Sequence, residues 1–392
     1  MELKTAAKLT KGGSVLKPVV ADPNDLLIHV EDQTYRIGIT PILVGRDRSN
    51  SIVLASTEAS RFHAAIYRSG KKFLVRDLHS TNGVTVNGST IRVSVIRPGD
   101  RIGFPDESFV VEESKSRGGA YADEGIVLFA DVAGFTSLTE RCGNDFVDAL
   151  RGVFEVLDDK VLLHRGCPLK NLGDGIMAAF GIWPLGDRRY SATDEALAFV
   201  REASVYAREQ TRAFFGDQSG CQLRFGLALG ELSYHSEDNL DLLGDTVNSA
   251  SRLESINKLY GTRIMVNAAF HAKLRDKSHL REIDTIRVKG KQTPITIFAV
   301  DERSQTWERA ETIPGVKRKD IDALGYLEWY GDGLARYRAG DFAGALEAFA
   351  NAERMYGDAP AACMRKRVQG FITGKASSEK KEWDGIWNME AK

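Results

Sequence analysis

The sequence predicts a multidomain fold with three parts in a row: an all-β sandwich, an α+β domain and an α-helical C-terminal segment. Short apolar strand patterns separated by Gly, Asn, Asp and Pro fill residues 25–112, as is typical of sandwiches and barrels. A continuous apolar strand, GIVLFAD, opens residues 125–302, where strand and helix patterns are mixed. This mixed order favours an α+β sheet domain. Residues 319–392 are predicted to be helical, with no strand pattern between the helices.

Length and composition agree with several domains and exclude some classes of function. A chain of 392 residues exceeds what one hydrophobic core usually supports. The net charge is −1 and Lys and Arg are spread along the chain, so no basic patch for nucleic acid is predicted. No stretch reaches the roughly 18 consecutive apolar residues of a membrane span, so we expect a cytoplasmic protein with no membrane partner. The four cysteines lack paired spacing and are expected to be reduced.

Two segments are predicted to connect the folded parts. Residues 1–24 mix Lys, Thr, Gly and Ser without periodicity, which predicts a flexible tail. Residues 113–124 are polar and rich in Gly, which predicts a linker between the first two domains.

Four motifs occur in order within the first domain. They are Gly45-Arg46, Ser60-Arg61 with His63, Ser80-Thr81-Asn82-Gly83, and Asn87-Gly88. Their order and spacing resemble the forkhead-associated (FHA) domain, a β-sandwich whose end loops bind phosphothreonine peptides. An Arg fork beside a hydroxyl donor is what a doubly charged phosphate requires.

The resemblance implies a phosphopeptide site. Its residues would be Arg46, Ser60, Arg61, Thr81 and Asn82. The two arginines and the serine would bind the phosphate and Asn82 the peptide backbone, whereas Gly45 and His63 look architectural. Taken singly, each residue is more typical of a tight turn or a solvated loop. Val84 departs from the family, which usually has Thr after the Asn-Gly pair.

A carboxylate, Asp131, ends the apolar strand of the second domain just before a helix opens. A carboxylate beside free backbone N–H groups at a helix N-terminus suits a metal-bound polyphosphate. The N–H groups that would take phosphate oxygens are those of Gly134, Phe135 and Thr136. The alternative is that Asp131 only ends a strand and that Ser137 and Glu140 form a capping box.

A second carboxylate, Asp174, lies in the Leu-Gly-Asp-Gly tip of a predicted hairpin. Taken alone, Asp-Gly between apolar runs indicates only a turn. If the hairpin pairs beside the first strand, Asp131 and Asp174 meet and can hold two divalent cations around one substrate.

Four motifs of the second domain resemble the catalytic domain of class III nucleotide cyclases. They are FADVAGFT, KNLGDGIMAAFG, DLLGDTVNSASRLE and RVKGK, within residues 125 to about 300. The resemblance implies a ferredoxin-like α+β fold and formation of a cyclic nucleotide, by attack of the ribose 3′-oxygen on the α-phosphate with release of pyrophosphate. It also implies two Mg²⁺ or Mn²⁺ ions per site, held by Asp131 and Asp174 with the carbonyl of Val132 assisting.

Within the resemblance, Lys170 and Asp241 occupy the positions that select the base. Asp241 can accept from the N6 amino group of adenine, and Lys170 can donate to N1. Guanine presents a carbonyl and an N–H at the same edge, and such mismatches cost much selectivity. The pair therefore predicts ATP as substrate, and a guanylate cyclase is the less favoured alternative.

Asn248 and Arg252 are four residues apart and share one face of a predicted helix. The resemblance implies that Asn248 orients the ribose, that Arg252 stabilises charge on the α-phosphate, and that Lys289 contacts the terminal phosphates. Singly, each is equally typical of an exposed polar surface. Together with the carboxylates and the base-selecting pair they indicate an adenylate cyclase that makes cyclic AMP.

The resemblance also implies a homodimer. In class III cyclases each site combines residues from two catalytic domains, and this chain has one such domain, so a head-to-tail homodimer with two composite sites is expected. The segment 319–392 resembles about one tetratricopeptide unit, or is a plain helical hairpin, and is expected to pack on the cyclase domain or its dimer mate. The alternative function is a phosphoprotein-binding adaptor with a catalytically silent cyclase fold.

Overall fold

A computed structural model describes most of the chain. The described residues are 26–38, 40–114, 124–182, 190–215, 220–236, 240–277, 279–288, 293–301, 325–374 and 383–389. The tail predicted over residues 1–24 and residues 115–123 of the predicted linker lie outside them.

The first domain is a sandwich of two sheets. Its strands are β1 (Leu26–Val30), β2 (Gln33–Arg36), β3 (Ile42–Gly45), β4 (Ile52–Val53), β5 (Ala64–Ser69), β6 (Lys72–Asp77), β7 (Val84–Val86), β8 (Ser89–Ile91), β9 (Val93–Ile96), β10 (Arg101–Gly103) and β11 (Ser108–Glu113). One sheet has the order β2-β1-β11-β10-β7-β8 and the other β4-β3-β5-β6-β9. Alternate apolar residues, such as Ile42 and Val44 of β3 and Ile28 of β1, meet in one core between the sheets.

The second domain is an α+β sheet domain. Its elements are β12 (Glu124–Val132), α1 (Phe135–Leu163), β13 (Cys167–Asn171), β14 (Gly175–Phe180), α2 (Ala192–Thr211), β15 (Leu223–Glu231), β16 (Ser233–Ser236), β17 (Leu240–Leu243), α3 (Asp245–Tyr260), β18 (Ile264–Asn267), α4 (Ala268–Lys273), β19 (Leu280–Val288) and β20 (Ile295–Val300). The central sheet has the order β13-β14-β12-β15-β18-β20-β19. Its first four strands are antiparallel in the ferredoxin-like order, so the predicted fold class is confirmed.

Helices cover both faces of this sheet. Ile126 and Leu128 of β12 pack in a core with α1, α2 and α4. Val127 faces the opposite side, in a core shared with α3 and the C-terminal helices. Because both faces are covered, β12 reads as an uninterrupted apolar run in the sequence.

The C-terminal segment packs on the sheet face that carries α3. It comprises α5 (Gly325–Arg338), α6 (Phe342–Tyr356), α7 (Ala359–Ile372) and a short strand, β21 (Trp387–Met389). The predicted C-terminal helices are present, and the tail after them adds a strand that the sequence patterns did not predict, β21, which pairs in parallel with β19 and extends the sheet. A buried ion pair joins Arg367 of α7 to Asp284 of β19, and Tyr260 at the end of α3 donates to the same carboxylate at 2.6 Å. The likeness to a tetratricopeptide unit stays a prediction.

Candidate active site and phosphopeptide site

The end of β12 and the tip of the β13–β14 hairpin lie side by side. Asp131 is directly opposite Gly175 in the antiparallel ladder, and the N–H of Val132 donates to the carbonyl of Asp174 at 3.0 Å. Two glycines allow this approach. Gly173 has a φ of 91°, and a Cβ at Gly175 would overlap the carbonyl oxygen of Ala130. The structure therefore brings both predicted metal-binding residues to the same edge of the sheet.

Asp131 lies in a half-buried cluster of charges. Arg224, opposite it on β15, donates to Asp131 Oδ2 at 2.7 Å and to Glu254 Oε1 at 2.8 Å. Burial, reinforced by the nearby charges of Glu254 and Asp174 and opposed by Arg224, raises the pKa of Asp131 to about 6. The carboxylates outnumber the single guanidinium, so the cluster is negative when ionised and attracts cations.

The donor set at this edge fits hard divalent cations. Carboxylate and carbonyl oxygens from Asp131, Asp174 and Val132 are ligands that Mg²⁺ and Mn²⁺ accept. Within the described ranges, no group of three or more His, Cys, Asp or Glu side chains could hold a metal unaided. An ion at this site would therefore complete its coordination with water or with oxygens of a bound phosphate, as Mg²⁺ commonly does.

Helix α1 starts at Phe135, three residues beyond Val132. Its N-cap, Gly134, is left-handed with a φ of 74° and no side chain caps the first turn. The predicted capping box of Ser137 and Glu140 is therefore absent, and the N–H groups of the first turn stay available to an anion. The predicted phosphate-binding residues Phe135 and Thr136 form this turn.

Helix α3 lies unusually close to β15. A Cβ at Gly226 would overlap backbone atoms of Ala250 and Glu254, and one at Gly230 would crowd the Thr246 hydroxyl at 2.7 Å. These two glycines share the sheet face from which Arg224 projects, since alternate strand residues face the same side. The close contact sets the position of α3 and of the predicted catalytic residues on it.

Among the described residues, Asn248 and Arg252 form no side-chain hydrogen bond or ion pair with a carboxylate. Asn248 is exposed, and Arg252 is half-buried. The Nη1 of Arg252 is buried and has no hydrogen-bond partner among the described residues. A buried guanidinium nitrogen without an acceptor is costly, so an acceptor from a ligand or a second chain would satisfy it.

The predicted base-selecting residues are only partly described. Lys170 is exposed on β13, just after a bulge. Asp241 lies on β17, opposite His235, but its side chain is outside the described part of the structure, as is all of Lys289.

Arg224 and Glu254 were not predicted as site residues. The signal for Arg224 is a charged residue inside the apolar strand pattern CQLRFGLALG. Glu254 had no such signal, because on the sequence it is one more polar residue of α3.

The predicted phosphopeptide residues gather on three loops at one end of the sandwich. We call residues 46–50, 58–61 and 79–83 loops A, B and C. The N–H of Thr81 donates to Ser60 Oγ at 3.0 Å, and Asn82 Nδ2 donates to the carbonyl of Glu58 at 2.9 Å. Loops B and C are thereby tied together, with the side chains of Thr81 and Asn82 exposed at the surface.

Loop A is held against loop B by close backbone contacts. The N–H of Arg46 donates to the carbonyl of Ser60 at 3.1 Å. A Cβ at Gly45 would overlap the carbonyl oxygen of Arg61, so glycine is required there. Arg46 and Arg61 are both exposed on these adjoining loops, where an incoming phosphate can reach them.

His63 connects loops B and C. Its side chain is fully buried, Nδ1 accepts from the N–H of Ser60 at 3.0 Å, and Nε2 lies 3.0 Å from the carbonyl oxygen of Gly83. This geometry agrees with the architectural role expected for His63. Val84, the departure from the FHA pattern, is buried in the sandwich core.

Comparison with known families assigns both domains. Residues 42–105 match the FHA domain family, and residues 120–301 match the adenylate and guanylate cyclase catalytic domain family.

Curated relatives of the chain include adenylate and guanylate cyclases. The chain is 30% identical to adenylate cyclase 1 of Rhizobium meliloti over 191 residues, which cover 46% of this chain and 28% of the relative. It is 32% identical to an adenylate cyclase of Mycobacterium bovis over 186 residues, covering 45% of this chain and 40% of the relative. It is also 27% identical to the human guanylate cyclase soluble subunit beta-2 over 208 residues, covering 51% of this chain and 32% of the relative. The chain thus spans less than half the length of each of these relatives.

Solved structures resemble the two domains separately. The guanylyl cyclase Cya2 is 26% identical with a TM-score of 0.39, covering 47% of this chain and 93% of that one. A phosphothreonine-dependent FHA domain is 28% identical with a TM-score of 0.21, covering 22% of this chain and 95% of that one.

No helix among the described residues has both the length and the apolar character needed to cross a bilayer. Taken with the motifs and loops above, the family matches identify an FHA domain within residues 42–105 and a class III adenylate and guanylate cyclase catalytic domain within residues 120–301.

Proposed function

We propose that the protein is an adenylate cyclase that converts ATP to cyclic AMP and pyrophosphate. The observation that carries the proposal is the meeting of Asp131 and Asp174 beside the uncapped first turn of α1. Carboxylates for cations and free N–H groups for phosphate oxygens are the two elements that a metal-bound nucleotide triphosphate needs. We also propose that the enzyme acts in the cytoplasm.

Asp131, Asp174 and the carbonyl of Val132 would hold two Mg²⁺ or Mn²⁺ ions. When bound, such ions lower the pKa of an attacking hydroxyl and offset negative charge on the phosphates. Arg224 fixes the orientation of the Asp131 carboxylate through a 2.7 Å hydrogen bond to Oδ2. The second oxygen, Oδ1, takes no part in this hydrogen bond.

The remaining residues bind and orient the nucleotide. The first-turn N–H groups of α1, from Gly134 to Thr136, bind phosphate oxygens, and Lys289 contacts the terminal phosphates. The 3′-hydroxyl loses its proton to solvent water as its oxygen bonds to the α-phosphorus, and the bond from the α-phosphorus to the oxygen bridging to the β-phosphate breaks to release pyrophosphate. No protein nucleophile is needed, since positioned charge accounts for most of the rate in phosphoryl transfers.

We propose that each site is shared between two chains of a homodimer. Asn248 and Arg252 form no side-chain hydrogen bond or ion pair with Asp131 or Asp174 of their own chain, and the buried Nη1 of Arg252 has no partner in the described structure. In a head-to-tail dimer with two-fold symmetry the same residues can meet the carboxylates of the other chain. Arg252 then stabilises charge on the α-phosphate, and Asn248 orients the ribose.

Measuring the substrate preference distinguishes an adenylate cyclase from a guanylate cyclase. The Lys170 and Asp241 pair matches adenine, whereas a guanylate cyclase subunit is among the relatives. Full-length protein would be incubated with ATP or GTP and with Mg²⁺ or Mn²⁺, and both cyclic products measured. We expect cyclic AMP at a rate at least tenfold above cyclic GMP, abolished by Asp131→Asn. Preferential cyclic GMP would establish the second candidate, and no product with either metal would leave only the adaptor function.

We further propose that the FHA domain binds phosphothreonine peptides and thereby regulates the cyclase. Arg46 and Arg61 are exposed beside Ser60 and Thr81, whose hydroxyl oxygens are 3.4 Å apart. Two guanidinium groups near hydroxyl donors can bind a phosphate dianion with charge-assisted hydrogen bonds. Arg46→Ala should abolish binding of a phosphothreonine peptide and leave basal cyclase activity unchanged.

A further inference from the structure

The sheet of the FHA domain that carries loop A also packs against the cyclase helix α1. Residues that alternate with the sandwich core, such as Leu43 of β3 and Tyr67 of β5, face outward yet are at most 4% exposed. They form a separate apolar cluster with Leu162 of α1. A sandwich face that would otherwise meet solvent is therefore covered by the catalytic domain.

Charge pairing surrounds this apolar contact. Asp159 of α1 is 3% exposed and accepts hydrogen bonds from Arg76 and Arg92 of the FHA domain. Arg76 also donates from Nη2 to the carbonyl of Glu155 at 2.8 Å, and its Nη1 is 3.7 Å from Asp158. A buried carboxylate with two guanidinium partners fixes the two domains in one relative position, because separating them leaves buried charges unpaired.

Two of the phosphopeptide loops take part in the same contact. His79, the first residue of loop C, has a φ of 57°, and its Nε2 lies 3.2 Å from Asp159 Oδ2. In loop A, the carbonyl of Ser49 accepts from Arg165 Nη2 at 2.8 Å. Arg165 lies two residues beyond the last residue of α1, so both loops are bonded at the C-terminal end of that helix.

The other end of α1 lies at the candidate catalytic site. The helix consists of two segments joined at Gly143, whose φ of 73° and ψ of −162° interrupt the helical geometry. That backbone region is essentially restricted to glycine. The first segment (135–142) supplies the phosphate-binding turn, and the second segment (144–163) carries Asp159.

We propose that phosphopeptide binding is transmitted to the cyclase through the second segment of α1, with Asp159 as the contact shared by the two domains. This inference rests on the proposed function and adds the route of regulation. A ligand shifts a conformational equilibrium only through contacts that differ between its states. Here the loops that hold the phosphate also bond to Asp159 and Arg165, so ordering the loops alters those contacts, and Gly143 lets the second segment move relative to the first.

The test measures hydrogen exchange in the full-length protein with and without peptide. The probe is the tightest binder from a degenerate library with a fixed phosphothreonine, and its unphosphorylated form is the control. We expect the phosphorylated peptide to change amide exchange at least twofold in residues 144–163 as well as in loops A to C. Binding with changes confined to the loops would overturn the proposed route, whether or not the cyclase is active.

Two variants test whether the signal passes through the contacts of Asp159 and Arg165. Asp159→Asn and Arg165→Ala should each keep peptide affinity within threefold of wild type. Both variants should lose the peptide-induced change in hydrogen exchange in residues 144–163. Their cyclase rates with and without peptide should be nearly equal. Asp148→Asn is the matched control, since Asp148 is an exposed residue of the same helix that pairs with Arg151 of that helix. Thermal melting checks that each variant is folded, and Arg165→Ala keeps the test open if Asp159→Asn unfolds.

The outcomes separate this inference from the proposed function. Retention of the full exchange change in both variants would contradict the route. Absence of any phosphopeptide binding would remove the proposed peptide function and the route with it. Absence of cyclic nucleotide with a normal exchange change would remove only the cyclase proposal.

Discussion

Arg224 donates a 2.7 Å hydrogen bond to the carboxylate of Asp131, the penultimate residue of β12. The same guanidinium donates to Glu254 on α3 at 2.8 Å. One side chain therefore connects the strand that would hold the metal ions to the helix that carries Asn248 and Arg252.

Replacing Arg224 should weaken cation binding and turnover together. Arg224→Met removes the bond that orients Asp131 and leaves Asp131 and Glu254 without their shared counter-charge. Loss of a partner that orients a metal ligand typically costs about 10–100-fold in metal affinity or activity. We expect kcat/KM to fall by that factor and the Mn²⁺ concentration for half-maximal activity to rise. Arg151→Met, which removes an exposed guanidinium on α1, should change neither.

The stability of the metal-free protein should depend on the protonation of Asp131. Burial, then Glu254 and Asp174, raises its pKa to about 6, against about 3.9 when unfolded. Between these values the folded chain binds more protons than the unfolded chain, so this group makes stability fall as pH rises toward 6. Mn²⁺ affinity should rise over the same window, since the ion competes with the proton.

Urea unfolding at about pH 4.5 and pH 7 without divalent cations measures this effect. Asp131→Asn should show a smaller loss of stability between the two pH values than wild type. Asp148→Asn, which changes an exposed carboxylate of α1 paired with Arg151, supplies the control, because it leaves the Asp131 cluster intact. Equal pH dependence in wild type and Asp131→Asn would contradict the electrostatic description of the cluster.

Gly226 sets the distance between α3 and the sheet. Gly226→Ala would place a Cβ against backbone atoms of Ala250 and Glu254, which cannot rotate away as a side chain does. Overpacking of this kind costs about 1–3 kcal/mol and displaces the helix, so both the free energy of unfolding and the cyclase rate should fall. Gly152→Ala on α1, where a Cβ meets nothing within 4 Å, should instead be neutral or stabilising by up to about 1 kcal/mol. Equal effects of the two substitutions would show that α3 is not held by this contact.

The local part of the candidate site could be predicted from the sequence. Asp131 follows an apolar strand and Asp174 sits in a hairpin tip, and both patterns lie within a few residues of the carboxylate. Arg224 could not be paired with Asp131 in this way, because their contact depends on the register of β15 against β12.

Contacts between distant elements were also beyond the sequence patterns. The strand β21 is three residues long and exists only because β19 offers it a free edge. In the sequence, Asp159 is one of several polar residues in a long helical pattern. Its burial depends on the position of the FHA domain, which that pattern does not indicate.

The C-terminal segment should stabilise the cyclase domain through Arg367. The Asp284 side chain is 1% exposed, so Arg367→Met leaves a buried carboxylate without its counter-charge, at a cost of about 3–5 kcal/mol. Because Tyr260 at the end of α3 shares this network, cyclase activity should decline as well. Arg365→Met, which breaks a partly exposed pair with Glu353, should cost at most about 1 kcal/mol. Urea unfolding of the two variants at one protein concentration measures the free energy of unfolding that each has lost. A similar loss in both would contradict the role of the buried pair.

Mixing two inactive variants tests the shared catalytic site most directly. Asp131→Ala and Arg252→Ala should each be inactive as homodimers, because every site then lacks one required residue. In a mixed dimer one of the two sites receives an intact Asp131 from one chain and an intact Arg252 from the other. Co-expression with random pairing should therefore restore about a quarter of the wild-type cyclic AMP rate. No recovery in dimers shown to contain both variants would contradict a catalytic centre built between two chains.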